Sequence, residues 1–276
     1  MSNALQIKPN QPVGNNPGDV KALLRSFEPQ LQNYLRRVDP KVLASAVVNS
    51  VRRSPKLLQC SNISMISAVF CCAETGLVPD TPLAECHLIP YGSTVQWIPG
   101  YRGLMKLARQ SGGITRFDVA IVRDEDEFRV TRGTNPEIVH IPSMGVGTTN
   151  RGEMTHVYSV AWFRDGSPPH FEVMDREEID LIKNEASKNK RSTPWQAHYE
   201  EMARKTIVRR HCKYLDLTPQ AGLAVDMDNA VASGKDQQFH EAAVGAFETD
   251  EPTTQTADEL AESLSVNTKT GEVEES

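Results

Sequence analysis

No stretch of this 276-residue chain approaches the 18 or so consecutive apolar residues that a membrane-spanning helix needs. The N-terminal residues also lack a charged segment followed by an apolar core, which argues against a secretory signal peptide. The five cysteines are odd in number and have no paired spacing, so the sequence predicts buried thiols in a reducing compartment rather than disulfides. We therefore expect a cytoplasmic protein.

The sequence motifs of nucleotide-driven and common hydrolytic enzymes are missing too. The one Gly-Lys pair, Gly234-Lys235, is followed by Asp236 and has Asn229 where a phosphate-binding loop requires its first glycine. The seven histidines show no zinc-site spacing with the cysteines, and no Ser/His/Asp arrangement is discernible. We therefore predict a protein that is not an enzyme, has no cofactor and does not use ATP.

One defective nuclease-like motif provides an alternative. Pro79-Asp80 and Glu85-Cys86-His87 are similar to the PD…ExK pattern, in which two carboxylates hold Mg²⁺. His87 stands where that pattern has lysine, and the separation between the two carboxylates is short. A turn that leads into a strand explains the same residues, so a metal-dependent nuclease using Asp80 and Glu85 is the runner-up hypothesis.

Charge is distributed unevenly along the chain. The whole chain has a net charge of −6, and residues 216–276 contain two basic and fourteen acidic residues. That stretch is therefore at −12, which leaves +6 for residues 1–215. A basic body joined to an acidic tail is typical of a nucleic-acid-binding core with a solvated or partner-binding extension.

Apolar periodicity and turn residues predict both helices and hairpins. The predicted helices are Val20–Leu35, Pro40–Arg53, Ile63–Thr75, Leu104–Ser111, a segment capped by Asp175 that runs to about Ser187, and a final helix from Pro194 to Leu215. The predicted hairpins are Cys86–Tyr91 with Thr94–Ile98, Thr115–Arg123 with Glu127–Thr131, and Glu153–Arg164 with His170–Met174.

Strands joined as hairpins pair antiparallel, so the sequence predicts an α+β fold in which antiparallel β-hairpins pack with helices. Residues 1–19, rich in Asn, Gln, Pro and Gly, are predicted to form a flexible arm, and residues 20–217 a folded domain. Residues 218–276 are acidic and poor in aromatics, and we expect a mostly disordered tail that serves partner interaction.

The predicted helix Tyr199–Leu215 carries a concentration of positive charge. Lys205, Arg209 and Lys213 are four residues apart, so on a helix they form one basic stripe. Arg210 projects from the apolar side and must meet a carboxylate or a phosphate there. A basic stripe in an acidic protein favours a polyanion site.

A second cluster joins aromatic and basic residues around a glycine-flanked turn; it consists of Trp97, Tyr101, Arg102, Lys106 and Arg109. Aromatic rings offer stacking platforms and arginines bind phosphate, a combination that suits single-stranded nucleic acid. The basic loop 188–193, with Lys188, Lys190 and Arg191, adds to the α-helical stripe. A solvated helix face with Trp97 in the core is the alternative.

At these residues the chain resembles the RecT family of phage single-strand annealing proteins. The resemblance runs from about Pro40 to Leu217 and is carried by long blocks of unusual composition: AETGLVPDTPLAECHLIPYG, VQWIPGYRGLMKLARQSGGI, RGEMTHVYSVAWFRDG and PWQAHYEEMARKTIVRRHCKYL. It implies a RecT/Redβ-like core, and an ATP-independent annealing protein of homologous recombination that forms rings or helical filaments on DNA. It also implies partnership with a phage 5′→3′ exonuclease and the host single-strand-binding protein, in the bacterial cytoplasm.

Annealing needs no bond chemistry; it needs neutralised phosphates, extended strands and free base edges. We expect residues 20–217 to form the DNA-binding and oligomerisation domain, and Mg²⁺ to modulate DNA binding. The expected DNA contacts are Trp97, Tyr101, Arg102, Lys106, Arg109, Lys188, Lys190, Arg191, Lys205, Arg209, Arg210 and Lys213. Besides the nuclease, a purely structural oligomer with solvated basic stripes is a third hypothesis.

Overall fold

In the computed structural model, which describes residues 11–32, 34–35, 37–144, 151–187, 194–235 and 237, the chain begins with an extended segment. The Val13 amide donates to the Cys60 carbonyl (2.8 Å), and the Asn62 amide donates to the Gln11 carbonyl (2.8 Å). Residues 11–19, predicted as part of a flexible arm, are therefore tied to the fold, whereas residues 1–10 lie outside the described chain.

The predicted helix Val20–Leu35 is in fact two helices, α1 (Pro17–Ser26) and α2 (Glu28–Gln32). Asn16 caps α1 in a reciprocal capping box with Asp19. Pro29 lacks an amide hydrogen and is tolerated only in the first turn of a helix, so a new helix starts there.

The next two helices agree with the prediction. Helix α3 spans Pro40–Arg53, and α4 spans Asn62–Thr75 after a short 3₁₀ turn. The Ser61 hydroxyl accepts from the Ser64 amide (3.3 Å) at the start of α4. Gly76 ends the helix in the left-handed conformation, with φ of 73°. Almost every side chain of α4 is buried, which makes it a central core element.

Among the described residues, seven strands form three antiparallel sheets, and two of the three predicted hairpins are confirmed. Strands β1 (Cys86–Tyr91) and β2 (Thr94–Pro99) pair as expected. Strands β6 (Met154–Phe163) and β7 (His170–Asp175) pair likewise. The described strands therefore bear out the α+β class with antiparallel pairing.

The third predicted hairpin is wrong. Strand β3 (Ile114–Arg123) pairs with β6, and β4 (Glu127–Thr131) pairs with the unpredicted β5 (Glu137–Ile141). Length and burial explain the exchange, because β3 and β6 are both ten residues long and largely buried, whereas β4 is five residues long and alternately exposed. The three-stranded sheet has the order β3-β6-β7.

Helices cover one face of this sheet. Helix α6 (Arg176–Ser187) begins with a capping box, since the Glu178 amide donates to Asp175 (2.8 Å) and the Asp175 amide to Glu178 (3.3 Å). The predicted final helix is interrupted at His198 into α7 (Pro194–Ala197) and α8 (Tyr199–Cys212). The buried side of α8 packs on β3, β6 and β7, and α5 (Tyr101–Gln110) lies against α8 and β3.

A last helix, α9 (Pro219–Ala232), packs on β2, α5 and α4. It extends the folded region past residue 217, where the sequence predicts the start of a mostly disordered tail. Its small buried side chains, such as Ala221 and Ala224, leave it without a strong apolar stripe, so composition conceals its burial. Of the predicted tail, residues 236 and 238–276 lie outside the described chain.

All five cysteines are buried free thiols, as predicted. Burial raises the pKa of Cys212 to about 12, so this thiol is unreactive. Within the described ranges, no helix has both the length and the apolar character to cross a membrane.

Candidate nucleic-acid interface

Trp97 belongs to the core. Its side chain on β2 has no exposed surface, so it presents no ring face to a ligand. Its backbone amide and carbonyl are both bonded to the side-chain amide of Gln237, at 3.1 and 2.7 Å. The alternative that placed Trp97 in the core is therefore correct, and the stacking role predicted for it has no support.

Helix α5 presents a mixed polar face. Leu104, Leu107 and Ala108 are buried, whereas Arg102 and Arg109 are exposed. Tyr101 is half-buried, and its ring centre lies 5.8 Å from the Arg102 guanidinium. This face is available to a polyanion.

Lys106, which the spacing places on the same face of α5, is used inside the protein. Its ammonium group lies 2.9 Å from both carboxylate oxygens of Glu85 and 3.3 Å from the Gly76 carbonyl. The contact joins α5 to the segment before β1. Of the three predicted cations on α5, only Arg102 and Arg109 remain open to solvent.

The basic stripe of α8 has the predicted spacing, but two of its three cations, Lys205 and Arg209, face helix α9. The Lys205 ammonium lies 2.6 Å from one carboxylate oxygen of Asp228 on α9, and Arg209 lies 3.2 Å from the other. Asp228 is buried, and both cations are largely covered. Lys213, just after the last turn of α8, is exposed.

Arg210 meets carboxylates, one of the two outcomes that its position predicts. Its guanidinium lies 3.2 Å from buried Glu172 on β7 and 3.0 Å from Glu178 on α6. Arg210 therefore joins α8 to β7 and α6. The remaining predicted contacts, Lys188, Lys190 and Arg191, lie outside the described residues.

The two carboxylates of the nuclease alternative each have a protein partner. Asp80 is 2.8 Å from His87 Nδ1, and Glu85 is paired with Lys106. Burial alone would raise the pKa of Asp80, but hydrogen bonds, chiefly from His87, lower it overall. Over the part of the chain that the structure describes, no three His, Cys, Asp or Glu side chains are grouped to hold a metal ion. The nuclease hypothesis thus gains no support.

A groove that sequence reasoning missed lies on the other face of the β3-β6-β7 sheet. It encloses about 640 Å³ and is bordered by α5, by β5 and by the β6–β7 connection. It is lined by Met105, Arg116, Asp118, Val119, Ala120, Ile138, His140, Tyr158, Val160, Trp162 and Pro169. Arg102 and Arg109 lie three residues before and four residues after Met105, so helix geometry places them on the same side of α5 as this groove-lining residue.

Aromatic rings and arginines interleave in and beside this groove. The Arg116 guanidinium lies 4.7 Å from the Trp162 ring centre and is also paired with Asp118. The Phe128 ring on β4 is stacked on Tyr158, with centres 5.8 Å apart. Half-exposed aromatics next to guanidinium groups are the elements of a stacking platform for nucleobases.

A hydrogen-bond network fixes the position of Tyr158. The buried Asp126 carboxylate accepts from Arg151 Nε (2.8 Å), His140 Nε2 (3.1 Å) and the Ser143 amide (3.0 Å). The Asp126 carboxylate can only accept, so His140 Nε2 donates to it, and His140 Nδ1 lies 3.1 Å from the Tyr158 hydroxyl.

The network also defines which groups are charged. The hydrogen bond from Arg151, followed by others, holds the pKa of Asp126 far below its usual range. Burial, followed by the charge of Asp118, raises the pKa of Tyr158. Tyr158 is thus a neutral, oriented phenol, which suits a ring platform rather than a nucleophile.

The inner face of the same sheet has a polar cluster in which Ser159 and His211 are buried and His170 is half-buried. Ser159 Oγ is 2.7 Å from His211 Nδ1, and His211 Nε2 is 2.9 Å from His170 Nδ1. Ser159 and His211 have no exposed surface. Burial, followed by the charge of His170, lowers the pKa of His211 to about 3. The pair therefore stabilises the packing of α8 and cannot meet a substrate.

The groove escaped prediction because it depends on the pairing of β3 with β6. Arg116, Asp118 and Ala120 alternate along β3, and their partners across the register are Trp162, Val160 and Tyr158. Alternate residues of a strand share a face, so the alternation was readable in the sequence. The predicted hairpins pair β3 with β4 rather than with β6, so the sequence prediction does not bring the two rows of side chains together.

Known proteins match this chain over much of its length. A model of the RecT family matches residues 41–243. The chain is also 36% identical over 212 residues to Protein RecT of Escherichia coli (strain K12), an alignment that covers 74% of this chain and 77% of that protein. The region matched by the family model includes α5, the groove and helices α8 and α9.

Proposed function

The chain belongs to the RecT family, and from that membership and the surface described above we propose that it binds single-stranded DNA and anneals complementary strands during homologous recombination. The observation that carries the proposal is the continuity of the groove with α5, through Met105. One strand lies along this surface with its bases towards Trp162 and Tyr158 and its phosphates towards the α5 arginines.

This arrangement supplies what annealing requires. Arginines reduce the repulsion between two phosphate backbones without reading sequence. Ring faces accept any base, and stacking is worth about 1–3 kcal/mol for each base. A platform held by His140 and Asp126 loses little conformational freedom when DNA binds, because Tyr158 is already oriented.

The predicted contacts other than Trp97 then divide into three groups: accessible residues, residues outside the described chain, and residues paired with carboxylates. Tyr101, Arg102, Arg109 and Lys213 are accessible and can meet DNA in the described conformation, and we keep Lys188, Lys190 and Arg191 as contacts on the strength of their sequence alone. Lys106, Lys205, Arg209 and Arg210 are paired with carboxylates. For those four, DNA must compete with an internal partner.

The finer parts of the proposal come from the family resemblance. We propose that annealing needs no ATP, that Mg²⁺ modulates DNA binding, and that copies of the chain assemble as a ring or helical filament on DNA. A 5′→3′ exonuclease would supply the single strands, and the host single-strand-binding protein would present them. All of this would take place in the bacterial cytoplasm.

Annealing of two complementary oligonucleotides, followed by fluorescence energy transfer in the absence of ATP, tests the proposal. We expect the protein to accelerate annealing and Trp162→Ala to lose most of the acceleration. Tyr34→Ala, which removes a partly exposed ring packed on Phe70 of α4, is the control and should retain it. Failure of the natural chain to anneal would reject the function, and Mg²⁺-dependent cleavage abolished by Asp80→Ala would favour the nuclease.

A further inference from the structure

Helix α9 places one buried carboxylate between two cations of α8. Asp228 retains 2% of its surface, and Lys205 and Arg209 retain 14% and 16% of their side-chain surfaces. Lys205 and Arg209 are one helical turn apart, so both reach the same carboxylate, one at each oxygen. The cluster has two positive charges and one negative charge.

Apolar and polar contacts both attach α9 to the fold. Its buried apolar residues are Ala221, Ala224, Val225 and Met227. Apolar stabilisation scales with the area removed from water, so the two alanines contribute little. The ion pairs with Asp228 and the hydrogen bonds between Gln237 and the backbone of β2 add to these contacts.

A carboxylate and a phosphodiester are recognised by the same donors. Two adjacent side chains, one ammonium and one guanidinium, bind either group through charge-assisted hydrogen bonds. A single aspartate neutralises only half of the charge on Lys205 and Arg209. A nucleic-acid backbone offers repeated phosphates, so it can replace the carboxylate at both cations.

We propose that Asp228 competes with DNA for Lys205 and Arg209. In this proposal α9 is a latch: it covers both cations until a DNA strand displaces it. The proposal rests on the proposed function and adds its regulation. In the closed form, Lys205 and Arg209 are withheld from DNA, whereas the groove, the exposed cations of α5 and Lys213 are accessible to it. In the open form, Lys205 and Arg209 each gain a phosphate contact, so DNA binding and α9 docking oppose each other through a shared equilibrium.

The latch predicts that only one of two aspartates on α9, Asp228 but not Asp226, limits DNA binding. Asp228→Asn removes the competitor, and single-stranded DNA should bind at least about fivefold more tightly, the lower end of usual coupling strengths. Asp226→Asn is the matched control, since Asp226 is exposed on α9 and its substitution removes the same charge. Equal affinities for the two variants, or weaker binding by Asp228→Asn, would overturn the latch.

The salt dependence of binding identifies the freed cations. Adding Arg209→Gln to Asp228→Asn should make the slope of log K against log salt less negative by about 0.7, the contribution of one single-strand phosphate. An unchanged slope would mean that Arg209 makes no phosphate contact in the open form, which contradicts the proposal.

Hydrogen–deuterium exchange on the natural chain keeps the test independent of whether Asp228→Asn folds. Saturation with oligo-dT should speed amide exchange over residues 219–232 while leaving α3 unchanged. Unchanged or slower exchange over 219–232 would overturn the latch. If oligo-dT does not bind the natural chain at all, the proposed function fails; if it binds without these effects, only the latch fails.

Discussion

The two faces of the β3-β6-β7 sheet are made from alternate residues of the same strands, yet they use their polar groups in opposite ways. On the inner face, Ser159 and Glu172 are bonded to His211 and Arg210 of α8. On the outer face, Arg116, Tyr158 and Trp162 line an open groove. A count of basic residues along the sequence therefore misidentifies the binding surface. The helix with the most basic residues, α8, uses them in contacts within the protein, whereas the accessible surface has fewer charges.

The largest expected effect concerns the inner face, where the free energy of unfolding should depend on pH through His211. The pKa of His211 falls from 6.5 to about 3 on burial, so unfolding takes up a proton between these values. Stability attributable to neutral His211 is complete above pH 6.5 and is lost as pH falls towards 3, by up to about 1.4 kcal/mol per pH unit.

Denaturant unfolding of the natural chain and of His211→Gln, followed from pH 7 to pH 4, measures this effect. The glutamine keeps a hydrogen-bonding side chain but does not titrate. We expect the difference in unfolding free energy between the two proteins to shrink or change sign as pH falls. A difference that is constant with pH would show that His211 is not held neutral.

Arg210 provides the next largest effect. Arg210→Ala leaves Glu172 buried without its cation, and we expect a loss of about 2 kcal/mol in unfolding free energy, moderated by the partial exposure of Arg210. The salt slope of single-stranded DNA binding should stay unchanged for the folded variant. A slope less negative by about 0.7 would instead restore Arg210 as a phosphate contact.

The two faces of the sheet also differ in how much of them can be predicted from the sequence. Helix α3 and the β1–β2 hairpin follow from local periodicity and turn residues, so they were predictable. The position of Arg210 on the apolar side, where it must meet a carboxylate or a phosphate, followed from one helix alone. The groove and the Asp228 contact require knowledge of which distant segments meet, namely β3 with β6 and α8 with α9, and no local pattern specifies either.

The smallest effect belongs to the accessible cations. Arg109→Ala should weaken single-stranded DNA binding modestly and make the salt slope less negative by about 0.7, with little change in thermal stability because Arg109 is exposed. Arg25→Ala, at an exposed position of helix α1, is the control for removal of a surface charge. If both variants shift the slope equally, the α5 surface has no special part in DNA binding.

Tryptophan fluorescence tests the outer-face groove most directly. The chain has three tryptophans; Trp97 and Trp195 are buried, and Trp162 lines the groove. Titration with oligo-dT should quench the emission of the natural chain through stacking, and Trp162→Phe should lose this quenching while it still binds DNA. Saturating DNA that leaves the natural emission unchanged, or quenches Trp162→Phe equally, would contradict the assignment of the groove as the site that holds bases.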